Sequence, residues 1–129
     1  MEKITVFAFD RDHTVDVNQG PVPLEWIRKL ARQEGNEVWA TGNQALKEEA
    51  GILGTKETAK RLSEDPSNWG RRQRVRRLEK LYPNVDRYVV VDDVDLSDLE
   101  KHGWKYYNPQ EFVKEYSDRL KVKENGSKE

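Results

Sequence analysis

Three short, largely apolar runs, each cut off by polar residues and separated by stretches of helical spacing, constrain this chain more than any other feature. Residues 4–9 (Ile-Thr-Val-Phe-Ala-Phe) stop abruptly at Asp10, the pattern of a strand buried on both faces. Residues 37–41 (Glu-Val-Trp-Ala-Thr) read as a second short strand, and 88–91 (Tyr-Val-Val-Val) as the clearest one, unbroken up to Asp92. Between them, Leu24, Ile27, Leu30 and Ala31 recur at helical spacing with Gly35 as a stop. Beyond Pro66, Val75, Leu78 and Tyr82 mark a longer helix that Pro83 helps to end. A helix over 96–102 closed by Gly103, an edge strand over 104–107, and a last helix opened by Asn108-Pro109-Gln110-Glu111 complete the pattern. Residues 43–67, interrupted by Gly51 and Gly54, read as two short helices. Strands alternating with helices predict an α/β, three-layer, Rossmann-like domain with a mostly parallel sheet of about four or five strands.

The 129 residues suit one compact domain, placed at 1–120, with a charged, apolar-poor tail over 121–129 that is expected to fray. Hydrophobic residues make up 35% and charged ones 36%, so the core must be economical and the surface dense in ion pairs. A formal net charge of −1 argues against a general polyanion binder. No run approaches the roughly 20 apolar residues of a membrane span, and the first residues lack the apolar run of a secretion signal, so a soluble, cytoplasmic protein with no membrane partner is expected. The absence of cysteine excludes disulfides and thiolate chemistry, and the two histidines lie far apart in sequence. A bound metal must therefore be held by oxygen.

In open parallel sheets, ligands bind at the carboxyl ends of the strands. Asp10 and Asp12 follow the first predicted strand, Thr41 ends the second, and Asp92 and Asp93 follow the third. The two-residue spacing sends Asp10 and Asp12 the same way if the strand conformation persists. Four carboxylates gathered in one crevice repel one another unless a cation is present, and an all-oxygen donor set favours Mg2+.

The order of these pieces resembles the haloacid dehalogenase (HAD) superfamily: an apolar strand running into Asp-x-Asp-x-Thr/Val, a strand ending in Thr or Ser, a Lys or Arg, and a strand ending in acidic residues. The resemblance spans nearly the whole chain. It implies Asp10 as nucleophile and Asp12 as general acid/base of a Mg2+-dependent phosphatase or phosphotransferase working through an aspartyl-phosphate. It further implies Asp10, Asp92 and Asp93 at the metal, together with Asp12 through its backbone carbonyl. Phosphate or substrate binding falls to Thr14, Thr41, Gly42, Asn43, Arg71 and Arg72. Arg71 or Arg72 stands where the family usually has lysine, with Lys80 as a rival late in the helix. The gaps 15–23 and 44–69 are too short for the folded caps of the family, so an open site is expected. Such a site suits a bulky phosphorylated substrate or closure by a second copy in a homo-oligomer.

Several of these residues also have plainer readings. The arginine run from Arg71 to Arg77 reads as a solvated helix face in preference to a nucleic-acid stripe, because Glu79 and the overall charge oppose the latter. Asp95 and Asp98 have the spacing of a helix N-cap and its reciprocal partner. His13 reads as an exposed loop residue, and Trp26 and Trp39 as core, while Trp69 suits either a staple at the helix start or a substrate stack. A non-catalytic binding or regulatory relative that keeps the acidic pocket is the second functional expectation. A phospho-accepting receiver domain ranks last, because the midway strand here ends in Thr41.

Overall fold

A computed structural model describes residues 3–55 and 69–128, with the side chains of Trp69 and of residues beyond 120 outside that description. Strands β1 (Thr5–Phe9), β2 (Asn36–Ala40), β3 (Leu53–Gly54), β4 (Arg87–Val91) and β5 (Trp104–Tyr107) form one sheet in the order β3-β2-β1-β4-β5. Every pairing is parallel. Helices α1 (Leu24–Arg32), α2 (Ala45–Ala50), α3 (Trp69–Leu81) and α4 (Pro109–Lys128) cover the sheet together with two 3-10 helices, Asp16–Asn18 and Ser97–His102.

Alternation along β1 assigns the layers. Phe7 and Phe9 join α1, α2 and α4 in one apolar cluster with Trp26, Ile27, Leu46, Phe112 and Tyr116. Val6 and Ala8 point the other way, into a second cluster with Val75 and Leu78 of α3 and Leu96 and Leu99 around the second 3-10 helix. Helices on both faces of a parallel sheet make the expected three-layer α/β domain. Among the described residues, no helix is long and apolar enough to cross a membrane.

Local chemistry explains most boundaries. The capping box at the start of α4 is reciprocal: the Glu111 N–H donates to Asn108 Oδ1 at 2.8 Å, and the Asn108 N–H donates to Glu111 Oε1 at 3.2 Å. Three expectations are corrected. The segment after Asn43 contains one short helix and then β3, a two-residue strand too brief and too glycine-rich to read as one; the second helix expected there falls largely outside the described residues. The helix over 96–102 is a 3-10 helix, closed by Gly103 at φ +97°. Asp98 does not complete a capping box, because its carboxylate accepts from Arg72, while Asp95 accepts from the Ser97 N–H at 2.9 Å. The side chains of the tail expected to fray lie outside the described residues.

Candidate active site

Sheet order and register place the site. Connections leave β1 toward β2 and β4 toward β5, so the direction of winding reverses between β1 and β4 and opens a crevice at their carboxyl ends. Phe9 is level with both Ala40 and Val91, so Asp10, Thr41 and Asp92 stand abreast, one residue beyond the three strands. Backbone bonds continue that level: the Asp10 N–H donates to the Val91 carbonyl at 3.0 Å and the Thr41 N–H to the Phe9 carbonyl at 2.9 Å. Because Phe9, Ala40 and Val91 face the aromatic cluster, the next residue of each strand turns toward α3.

There α3 delivers Arg71. Its Nη1 donates to Asp10 Oδ1 at 2.7 Å and lies 3.2 Å from Asp92 Oδ2. Asp10 is 3% exposed and Asp92 fully buried. Carboxylate oxygens of Asp10, Asp92 and the exposed Asp93 all lie within 4.8 Å of one another, a group able to hold a metal ion. Burial raises the Asp10 carboxyl to about 6, with Arg71 opposing the rise and Asp93 adding to it. Asp92 is raised well above its ordinary value, first by burial and then by the charge of Asp10. Three further contacts fix these acids. Thr14 Oγ1 donates to Asp10 Oδ2 at 3.0 Å, the Val94 N–H donates to Asp92 Oδ1 at 3.0 Å, and the Tyr106 hydroxyl donates to the Asp92 carbonyl at 3.0 Å.

The Gly42 backbone closes the other side of Asp10. A Cβ at Gly42 would stand 1.9 Å from Asp10 Oδ1, so only glycine admits the carboxylate in this position. Arg74, buried on α3, donates to the Gly42 carbonyl at 2.7 Å, and Gln44 Nε2 donates to the same oxygen at 3.0 Å. Asn43 Oδ1 accepts from the Ala45 N–H and so holds the start of α2.

The Asp12 carboxylate is not one of the metal-holding group. The chain turns after β1, with the Val15 N–H donating back to the Arg11 carbonyl, so the strand alternation expected to align Asp12 with Asp10 ends. Its carboxylate instead accepts from Arg11 Nη1 (2.7 Å), Asn18 Nδ2 (2.8 Å) and Asn43 Nδ2 (3.3 Å). Desolvation pushes Asp12 upward, but these bonds from Asn18, Asn43 and Arg11 outweigh it and hold the carboxyl below its ordinary value. Arg11 is itself gripped by both oxygens of Glu49, at 2.8 and 2.9 Å.

The structure therefore brings Asp10, Asp92, Asp93, Arg71 and Gly42 together, with Asp12 and Asn43 adjoining. Thr14 and Thr41 are fully buried, Thr14 against Asp10 and Thr41 with its hydroxyl 3.5 Å from the Phe9 carbonyl, so neither presents its hydroxyl to solvent here. Arg72 points away, to Asp98 and the Asp95 carbonyl. The arginine run is only in part the solvated face expected of it, since Arg71 and Arg74 turn inward to the acids and to Gly42. Sequence reasoning missed Arg74, Tyr106 and the pair Arg11 and Glu49. Arg74 had a signal, since it shares the inward helical face of Arg71, Val75 and Leu78; Tyr106 lies on β5 and Glu49 on α2, but their partners, the Asp92 carbonyl and Arg11, lie in turns after strands. Comparisons with protein-family models, curated proteins and solved structures find no match.

Proposed function

We propose that this chain is a Mg2+-dependent phosphatase or phosphotransferase of the HAD-like type, with Asp10 as nucleophile. The observation that carries the reading is the convergence of Asp10, Asp92 and Asp93 with Arg71 at the reversal point of the sheet. The donor set suits a hard divalent ion, being three carboxylates with no nitrogen or sulfur. Asp10, Asp92 and Asp93 would hold Mg2+, which when bound supplies positive charge against the phosphoryl oxygens. Arg71 Nε is buried and has no hydrogen-bond partner among the described residues; a phosphate oxygen is an acceptor that would satisfy it.

In this reading an Asp10 oxygen attacks phosphorus, a bond to Asp10 forms, and the bond to the leaving oxygen breaks. Thr14 and the Gly42 backbone fix the rotation of the attacking carboxylate. Asp12 delivers a proton to the leaving oxygen and regains one from the water that then hydrolyses the aspartyl-phosphate. Its depressed proton affinity suits the second step best, so esters whose leaving oxygen needs no proton should react fastest. The test is release of an aryl alcohol from a generic aryl phosphate with Mg2+ and with EDTA. We expect Mg2+-dependent turnover that falls by about 10⁴-fold or more in Asp10→Asn; full activity in that variant removes the proposed nucleophile.

A second reading, a non-catalytic phosphate- or metal-binding relative, draws support from one feature. Arg71 already pairs with both Asp10 and Asp92, which stabilises the pocket without any reaction. Mg2+ binding without turnover of any phosphate ester would favour it.

A further inference from the structure

At the end of the sheet opposite the acidic crevice lies a cavity of about 220 Å³. Thr5, Asn36 and Arg87, the first residues of β1, β2 and β4, stand level with one another and line it. Thr5 and Asp10 are separated along β1 by roughly 17 Å, so this cavity is distinct from the crevice. Thr5 alternates onto the same face as Phe7, where Leu30 of α1 and Tyr116 and Leu120 of α4 supply the apolar wall.

The lining offers donors and no acid. Arg87 and Arg119 both contribute to it, and neither has a carboxylate partner among the described residues. Arg119 lies instead over the Tyr116 ring, at 4.8 Å from its centre. Asp86, next to Arg87 in sequence, is occupied by the Ile4 N–H at 2.8 Å. Burial raises the Tyr116 hydroxyl, and Arg119 and Arg87 act on it more strongly than Glu115 does.

Polar atoms at the cavity are likewise unengaged. Tyr116 is 2% exposed, yet its hydroxyl has no hydrogen-bond partner among the described residues. Asn36 Nδ2 donates to Gln33 Oε1 at 3.1 Å and to the Leu30 carbonyl at 3.0 Å. The end of α1 is thus satisfied without the arginines, and Gln33 Nε2 keeps no partner among the described residues. Buried polar groups are nearly always paired in folded chains, and several unpaired donors converging on one partly apolar cavity mark a binding site.

We propose that this cavity binds a small organic anion, its oxyanion head between Arg87 and Arg119 and its short apolar body against Phe7, Leu30 and Leu120. Guanidinium groups grip carboxylate and phosphoryl oxygens through paired N–H bonds, and Tyr116 and Gln33 add donors beside them. The volume is below the roughly 300 Å³ of a drug-sized site, which suits a body of about one ring. The binding is independent of Asp10 and of any reaction there.

The test is two-dimensional 1H–15N NMR of the full chain in EDTA, titrated with benzoate and with phenylphosphonate to about 10 mM. Saturable shifts of the Gln33 side-chain amide place the ligand here, while the Gly42 amide reports separately on the acidic crevice. The tighter of the two probes identifies the head group as carboxylate or phosphoryl. Arg87→Ala with Arg119→Ala, checked for folding by circular dichroism, should weaken binding at least about tenfold. Tyr116→Phe, which keeps the ring, should weaken it about threefold and leave thermal stability unchanged, because the hydroxyl has no partner to lose. Uncharged benzamide should bind at least about tenfold more weakly than benzoate. No saturation by either anion, shifts at Gly42 alone, affinity indifferent to the double arginine substitution, or benzamide binding as tightly as benzoate would overturn the proposal.

Discussion

The face of the sheet under α1, α2 and α4 centres on a cluster of stacked and edge-on rings, whereas the face under α3 has an aliphatic centre with its rings toward the edges, and it carries buried charge. On the first, Phe112 stacks on Tyr116 at 4.3 Å and meets Phe9 edge-on at 5.3 Å, with Phe7 and Trp26 alongside. On the second, Val6, Ala8, Val75, Leu78 and Leu99 form the centre, Trp104 is buried beside Tyr88, and α3 adds the buried Arg74 and the half-buried Arg71. Both faces exclude water, but only one must also neutralise Asp10 and Asp92. Desolvating a carboxylate is costly unless a partner is supplied. The aromatic face supplies stability of a kind indifferent to pH and to ions, and this lets the other face hold groups whose stability depends on both.

The largest effect should come from the aromatic side. Phe112→Ala should cost about 3–5 kcal/mol in urea unfolding, against about 2 kcal/mol for Val75→Ala beneath α3. An equal or inverted pair of values would break the comparison.

Next is the contact between backbone and acid. Gly42→Ala places a methyl where Asp10 Oδ1 now lies, so the carboxylate must move. Turnover of an aryl phosphate should fall by about 10²-fold, as expected for a displacement near 1 Å. Unfolding free energy in EDTA should change much less.

The third effect, comparable in size to the second, is a pH dependence. A carboxyl raised from 3.8 to about 6 is bound to its proton more tightly in the folded than in the unfolded chain. Its stabilising contribution is therefore fully present below the unfolded value near 4 and is lost as the pH rises through about 6, amounting to about 2–3 kcal/mol. Because Asp12, Glu25 and Glu49 shift the opposite way, the readout is a difference between two proteins. In EDTA, Asp10→Asn should gain stability relative to the wild type between pH 4 and 7. A constant difference would contradict the buried, proton-hungry environment assigned to Asp10.

Much of this was legible in the sequence where one residue type decides one outcome. The continuous apolar runs fix β1, β2 and β4, and the Asn108 to Glu111 signature yields a capping box with both bonds made. Because parallel strands in register bring their ends level, Asp10 and Asp92 could be placed together from the pattern of strands. What was not legible depends on rotation and on turns. Arg71 and Arg72 differ by one position, yet about 100° of helix separates them, enough to send one to Asp10 and the other to Asp98. Asp12 leaves its expected alignment because the chain turns at Arg11, a consequence of a loop that no periodicity announces. Thr14 matches its motif position but is consumed in orienting Asp10. The two residues of β3 are too few to carry any pattern.

The central claim is that a carboxylate held between Arg71, Thr14 and Gly42 can accept a phosphoryl group. Beryllium fluoride, which mimics an acyl phosphate on an accepting aspartate, tests it directly by 19F NMR of the Mg2+-loaded protein. The account predicts bound fluoride resonances in the wild type that vanish in Asp10→Asn and in EDTA. A folded, Mg2+-bound wild type that forms no adduct would contradict it.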